Sequence, residues 1–231
     1  MKTIGLIGGM SWQSSAEYYR LINEAVHDRL GEHNNARTLM ITVNFQEIEA
    51  WMRGGDWGRV AACMQDAARR LQAGGADFVL LCTNTVHKVA PSIEAALSVP
   101  FLHIVDATAD AIGRRGFTSV GLLGTRFTME QEFYRDRLES RHGLTALIPD
   151  ESARTLVHQV IFDELCHGEV REDSRREFQR IIDGLKERGA QGVILGCTEL
   201  TLLLQPEHSS LPVFDTTRIH VEAAVALALP G

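Results

Sequence analysis

Two short stretches hold the residues best suited to proton chemistry. One is Phe78-Val79-Leu80-Leu81-Cys82-Thr83-Asn84-Thr85; the other is Val193-Ile194-Leu195-Gly196-Cys197-Thr198-Glu199. Each is an apolar run of strand length ending in Cys-Thr, introduced by Gly75-Ala76 and Gly189-Ala190. The cysteines lie 115 positions apart (197 minus 82). Each is read as following a strand and preceding a helix. A thiol near a helix N-terminus feels a partial positive charge that favours thiolate. Backbone N–H groups in such a turn can bind a carboxylate. Thr83, Asn84, Thr85 and Thr198 add neutral hydrogen-bonding groups, which suits a small dianion or zwitterion.

Two acid–base groups on opposite faces of one carbon permit stereoinversion. One thiolate removes a proton, the opposite thiol returns one, and the roles exchange for the mirror substrate. Groups of this kind contribute about 10²–10⁴-fold each. The rest of the barrier requires carbanion stabilisation by pre-placed donors. A lone cysteine in an apolar strand is ordinarily a small buried hydrophobe. Two at equivalent ends of a repeated unit, each followed by Thr, argue for chemistry. Cys63 and Cys166 have no such setting and read as core.

Other groups carry weaker signals. Gly8-Gly9 follows a strand, but neither G-x-G-x-x-G nor G-x-x-x-x-G-K-[ST] is present, so a tight turn is the reading. Without C-x-x-C spacing no metal site is expected. The lysines are Lys2, Lys88 and Lys186, none set for a Schiff base; Lys88 reads as solvated. His87 could tune Cys82 or lie on a helix surface. Glu199 could assist Cys197, bind an amino group, or only cap a helix. Arg53, read in a glycine-rich loop, could clamp a side-chain carboxylate or be simply exposed.

The elements that position these residues repeat. Ile4-Gly5-Leu6-Ile7-Gly8 matches Val120-Gly121-Leu122-Leu123-Gly124, and Val99-Pro100-Phe101 matches Leu211-Pro212-Val213. Ordered landmarks at a near-constant offset indicate a duplicated unit. Strands are expected over 2–8, 38–45, 78–82, 101–105, 118–123, 144–148, 193–197 and 212–214. Helices are expected from Ser14 or Ser15 through Val26, and over 58–73, 86–97, 106–115, 129–141, 152–167, 171–188 and 216–229, with a loop or short helix from Phe45 to Trp57. Strands alternating with helices imply an α/β fold, each lobe a mostly parallel sheet flanked by helices. Ligands bind beyond the carboxyl ends of such strands, where Gly8, Cys82, Gly124 and Cys197 fall. The first lobe is expected over 1–100, and the second begins with the strand at 101–105.

Composition narrows the class. A chain of 231 residues, 45% hydrophobic, can bury a proper core. A net charge of −7 and no long basic run speak against a nucleic-acid partner. No apolar stretch approaches the roughly 20 residues of a membrane span. Four cysteines make no disulfide scaffold, and no signal-peptide pattern is seen; free thiols in the cytoplasm are expected.

Together, Met-Lys-Thr-Ile-Gly-Leu-Ile-Gly-Gly-Met-Ser-Trp (1–12), Leu-Cys-Thr-Asn-Thr (81–85) and Gly-Cys-Thr-Glu (196–199) resemble the cofactor-independent aspartate/glutamate racemase family along the whole chain. The segments 122–130 and 213–216 resemble its aspartate racemase branch, with its broad-specificity amino-acid racemases. The resemblance implies an active site in the cleft between the lobes and a last segment that crosses back, so that the first lobe covers 1–100 with 212–231 and the second 101–211. It also implies Cys82 and Cys197 as paired proton donor/acceptors, no cofactor, an amino-acid substrate and a homodimer. It implies substrate contacts from Met10 and Ser11, from Thr83, Asn84 and Thr85, from the Thr125–Thr128 turn, and from Thr198 and Glu199. Some relatives place a basic residue after the Glu-Leu-Cys segment. Here that position falls to His167, which departs from lysine and is mostly neutral near pH 7. The competing functions are maleate isomerisation, hydantoin racemisation, malonate decarboxylation, and non-catalytic binding of a small molecule.

Overall fold

A computed structural model describes residues 1–229. The chain divides into two compact units, Met1–Ile104 together with the chain from His220 onward, and Val105–Ile219.

The first unit opens with β1 (Ile4–Gly8), α1 (Trp12–Leu30) and β2 (Thr38–Thr42). It continues with α2 (Phe45–Arg53), α3 (Trp57–Ala73), β3 (Phe78–Leu81), α4 (Ala90–Ala95) and β4 (Phe101–Leu102). A 3-10 turn, Thr85–Val89, leads into α4. The sheet order is β2-β1-β3-β4, with every pairing parallel. β1 and β3 are buried throughout, as continuous apolar runs in a parallel sheet must be when helices cover both faces. One face packs Ile7, Val79 and Leu81 against α2, α3 and Val86. The other packs Ile4, Leu6, Phe78, Leu80 and Cys82 against Tyr18, Ile22 and Val26 of α1.

The second unit repeats the plan. It runs through α5 (Ile104–Gly113), which begins at the boundary, β5 (Ser119–Leu123), α6 (Arg126–Glu130), α7 (Glu132–His142), β6 (Thr145–Leu147), α8 (Glu151–Asp163), α9 (Glu172–Glu187), β7 (Val193–Leu195), α10 (Leu200–Leu203) and β8 (Val213–Asp215), and ends within α11 (Thr216–Ala228), whose residues from His220 belong to the first unit. Its sheet, β6-β5-β7-β8, is also parallel throughout. Leu123, Val193 and Leu195 pack against Val157, Ile161, Phe178, Ile182 and Leu200. The expected α/β fold of two similar sheets is present.

Several boundaries differ from expectation. The strand at 101–105, expected to open the second lobe, is β4 of the first sheet: Val79 pairs with Phe101 and Leu80 with Leu102. Residues 212–219, expected with the first lobe, belong to the second unit, because β8 pairs with β7 from Val193↔Val213 to Leu195↔Asp215. Only from His220 does the chain rejoin the first unit, where Val221, Ala224, Val225 and Ala228 enter the α1-side core. Three expected helices are broken. The 86–97 helix is a 3-10 turn followed by α4, in which Pro91 sits in the first turn. The 129–141 helix divides at Gln131, whose extended backbone ends α6 and starts α7. The 152–167 helix stops at Asp163 and resumes as a 3-10 turn, Leu165–His167. The first helix is capped at Ser11, upstream of the expected Ser14 or Ser15.

Candidate active site

The first Cys-Thr turn is held at every peptide. The Cys82 N–H continues the sheet ladder by donating to the Ile7 carbonyl (2.9 Å). Ser14 Oγ lies 3.1 Å from the Cys82 carbonyl oxygen and 2.9 Å from that of Ser11, so one hydroxyl proton serves both acceptors. His87 Nδ1 is 2.7 Å from the Thr83 carbonyl oxygen, and the His87 N–H donates to that of Asn84 (3.1 Å). Asn84 is buried; Thr83 and Thr85 are half-buried. The glycine turn is pinned beside it. Gly9 has φ +96°, and a Cβ there would lie 2.3 Å from the Val43 carbonyl oxygen, so only glycine fits. Its N–H donates to Ser15 Oγ (2.7 Å), which donates onward to the Ser11 carbonyl (2.9 Å). That amide is therefore already satisfied within the fold, as a tight turn requires. The Met10–Ser11 peptide is cis. Met10 is buried in the α3-side core, and Ser11 is the half-buried N-cap of α1.

The second turn is built from more local bonds. The Gly196 N–H donates to the Leu123 carbonyl (2.7 Å), again extending the ladder. Cys197 Sγ donates to Glu199 Oε2 (2.8 Å), and Thr198 Oγ1 donates to the same oxygen (2.7 Å). Cys197, Thr198 and Glu199 are all half-buried. Thr125 and Thr128 are buried at the start of α6, their hydroxyls 3.4 Å apart. A Cβ on Gly124 or Gly196 would lie 3.2 Å from Thr128, which packs this turn against the peptide before Cys197.

The two turns are not in the same register. Ile7 pairs with Leu81, and Leu123 with Leu195. Leu81 and Leu195 are thus equivalent, Cys82 matches Gly196, and Thr83 matches Cys197. The cores agree: Cys82 follows Phe78 and Leu80 into the α1-side cluster, whereas Cys197 follows Val193 and Leu195 onto the other face. The expected equivalence of Cys82 with Cys197 is off by one residue. A one-residue slip sends a side chain to the opposite face of a sheet.

The electrostatics differ from expectation too. Cys82 is 0% exposed, and burial pushes its thiol well above the ordinary value. The Cys197 thiol is also raised well above it, by desolvation first and then by the Glu199 carboxylate. The thiolate bias expected from a helix N-terminus is outweighed in both turns. At the first turn the following element is a 3-10 turn; at the second, α10 spans only four residues. Long aligned peptide dipoles are missing in both places.

Other expected residues lie as follows. Arg53 is the last residue of α2 rather than a loop residue, and it is exposed and paired with Glu49 (2.6 Å). His167 is the exposed last residue of the 3-10 turn after α8. Cys166, read as core, is exposed; desolvation of its sulfur and then the nearby Glu199 charge hold its thiol at about 11. Cys63 is half-buried against the α3-side core. Lys88 is not simply solvated: its Nζ lies 4.0 Å from the centre of the Trp57 ring, and burial lowers its pKa. Sequence reasoning missed Ser14 and Ser15 as turn anchors, and it left His87 as a possible surface residue. His87 is 2% exposed. Its apolar neighbours Val86, Val89 and Ala90 were the available signal. Among the described residues, no group of three or more His, Cys, Asp or Glu side chains could hold a metal ion, and no helix is long and apolar enough to cross a membrane.

Residues 7–224 match the family model described as Asp/Glu/Hydantoin racemase. The chain belongs to that racemase family. It is 49% identical to a candidate Asp/Glu racemase from Yersinia pestis, covering 99% of both chains with a TM-score of 0.95. An aspartate racemase homologue from Pyrococcus horikoshii OT3 is 32% identical, with 99% of both chains covered and a TM-score of 0.88. Among curated proteins, the broad specificity amino-acid racemase RacX of Bacillus subtilis (strain 168) is 27% identical over 98% of both chains. Both Cys-Thr turns, the glycine turn and the Thr125–Thr128 turn fall within the region matched by the racemase family.

Proposed function

We propose that this protein is an amino-acid racemase of the aspartate/glutamate type that moves the Cα proton without pyridoxal phosphate. The observation that carries the reading is the half-buried Cys197 thiol, hydrogen-bonded to Glu199 at the carboxyl end of the third strand of its sheet. Family membership supports the reaction class, and full-length likeness to a broad-specificity racemase supports a substrate range wider than one amino acid.

In this reading Glu199 takes the Cys197 thiol proton, and the thiolate removes Cα–H from one face. A raised thiol pKa makes the thiolate scarcer but more basic, and so better matched to a weakly acidic carbon. The first turn returns a proton to the other face. We assign that donor to the Thr83 hydroxyl, a reading supported by the register match of Thr83 to Cys197. Donation leaves an alkoxide, which solvent reprotonates before the next turnover. In the reverse direction solvent hydroxide first takes the Thr83 hydroxyl proton; the alkoxide then removes Cα–H, the Cys197 thiol returns a proton to the other face, and the protonated Glu199 restores the thiol. Hydroxyls and amides of Asn84, Thr85, Thr125, Thr128 and Thr198 are assigned to the substrate carboxylates and the developing negative charge.

The second reading keeps the pair of cysteines, with Cys82 as the first-turn acid and base. It is favoured by the greater acidity of a thiol than an alcohol, and it requires the Cys82 turn to open. Either reading is tested by incubating the protein with single L-amino acids in deuterium oxide. The expected result is loss of the Cα proton signal with accumulation of the D-isomer. No exchange with any amino acid would overturn racemisation and leave the sister reactions of the family.

A further inference from the structure

The geometry points to His87 as the positioning residue of the first turn: its Nδ1–H, donated to the Thr83 carbonyl, fixes the peptide on which Thr83 and Cys82 depend. The inference rests on the proton-transfer reading for its effect on rate, but it is readable without activity.

The tautomer follows from the partners. The Ile104 backbone N–H can only donate, and it lies 3.2 Å from His87 Nε2. That nitrogen must accept, so in the neutral ring the proton is on Nδ1, 2.7 Å from the Thr83 carbonyl oxygen. The ring is walled by His103 (centroids 4.5 Å apart), Phe101 (5.7 Å) and His220 (6.0 Å). His220 is itself fixed, with Nδ1 2.9 Å from the Tyr18 hydroxyl and Nε2 2.9 Å from the Leu102 carbonyl oxygen. The cluster lies where the chain leaves the first unit, after Ile104, and where it returns, at His220. One ring therefore ties the Thr83 peptide to the last residue before the crossing. The second turn has no such ring. There Cys197's carbonyl accepts from the Leu200 N–H (3.2 Å) and Thr198's from Thr201 Oγ1 (2.8 Å), both local.

The test compares His87→Asn, His87→Gln and His87→Leu. Asn places its amide near the Nδ1 position and can keep the bond to Thr83. Gln reaches the Nε2 position and can keep only the bond from Ile104. Cys82 reports on the turn: native-state alkylation by iodoacetamide is followed at each cysteine by mass spectrometry. Cys63, in the same unit, reports general loosening, and Cys197 the other unit. We expect Cys82 to react about tenfold faster or more in the Gln and Leu variants and near the parental rate in the Asn variant, with Cys63 and Cys197 unchanged. In deuterium oxide the Gln and Leu variants should lose inversion by about 10–100-fold while retaining proton exchange on one enantiomer, since only the first-turn donor is displaced. Unchanged Cys82 reactivity in the Gln variant, or Cys63 rising in step with it, would overturn the assignment. If the Leu variant does not fold, the Asn and Gln pair carries the same comparison. An inactive parent with the expected Cys82 pattern would overturn the racemase reading and leave the positioning role standing.

Discussion

The two Cys-Thr turns share a strand ladder and little else. At the first, Ser14 and His87 reach in to hold the backbone while Ser15 holds the glycine turn beside it, and the cysteine is buried in the cluster of Leu80, Tyr18 and Ile22. At the second, the bonds are local, and the cysteine is half-open with a carboxylate on its sulfur. Duplication supplied the same frame twice, and the side chains then divided the work. In the proposed mechanism the first turn supplies an oriented peptide and a hydroxyl, and the second supplies the thiol–carboxylate pair.

The sharpest way to break that division is to remove each candidate group. Cys197→Ala should reduce inversion by about 10³-fold or more, and Thr83→Val by about 10²-fold, each leaving proton exchange on one enantiomer. Cys82→Ala should cost less than about tenfold and act mainly through packing. Chiral chromatography with single L-amino acids reads all three. Equal losses for Cys82→Ala and Cys197→Ala would restore the two-thiol mechanism and erase the asymmetry.

The glycine turns sharpen it next. Gly9→Ala places a Cβ 2.3 Å from the Val43 carbonyl oxygen at φ +96°. A cost of about 3 kcal/mol is expected in chemical denaturation. Gly124→Ala meets its nearest atom at 3.1 Å, with no left-handed backbone. About 1 kcal/mol is expected there. Equal costs would show that the first turn is not the tighter one.

How the chain announced these features explains what was legible. Apolar runs at 4–8, 78–81, 120–123 and 193–195 are period-free and have a glycine within a few residues, so buried parallel strands could be read directly. The repeat was visible because Gly8 and Gly124 lie at matching ladder ends. The one-residue offset between Cys82 and Cys197 was not, since it is set by hydrogen-bond register: identical Cys-Thr pairs masked a shift that pairing alone reveals. β4 and β8 were assigned to the wrong lobes for a related reason. Strands of two and three residues carry no signal of which neighbour they join. Helix breaks at Gln131 and Glu164 leave no Pro or Gly at the break itself. The burial of His87 and His220 depends on Leu102 and Ile104, which are distant in sequence from one or both rings.

The histidine cluster gives the first unit an acid sensitivity of its own. Burial lowers the His220 pKa from 6.5 to about 4, so the ring is neutral in the fold. Between those values the unfolded chain binds a proton that the folded one does not, and stability falls as pH falls. From pH 7 to pH 5 this group alone should remove about 2 kcal/mol, present above pH 6.5 and lost toward pH 4. Urea unfolding at both pH values measures it. A His220→Gln variant should lose that increment of pH dependence, and an unchanged slope would mean the ring is not held neutral.

The smallest effect isolates the second turn. Glu199 raises the Cys197 thiol through its charge and by accepting the thiol's hydrogen bond. Glu199→Gln removes that charge, so the free thiol should ionise at lower pH and the rise of kcat/KM with pH should begin earlier. The same substitution removes the group that takes the thiol proton and makes the thiolate less basic. The two losses together should lower the plateau by about tenfold. Cys82 lies in the other unit with no carboxylate bonded to its sulfur, so its alkylation profile should not move with Glu199→Gln, while that of Cys197 should shift to lower pH. A profile shifted at both cysteines would mean that the two turns titrate as one system, and a profile shifted at neither would mean that the carboxylate caps α10 without governing the thiol.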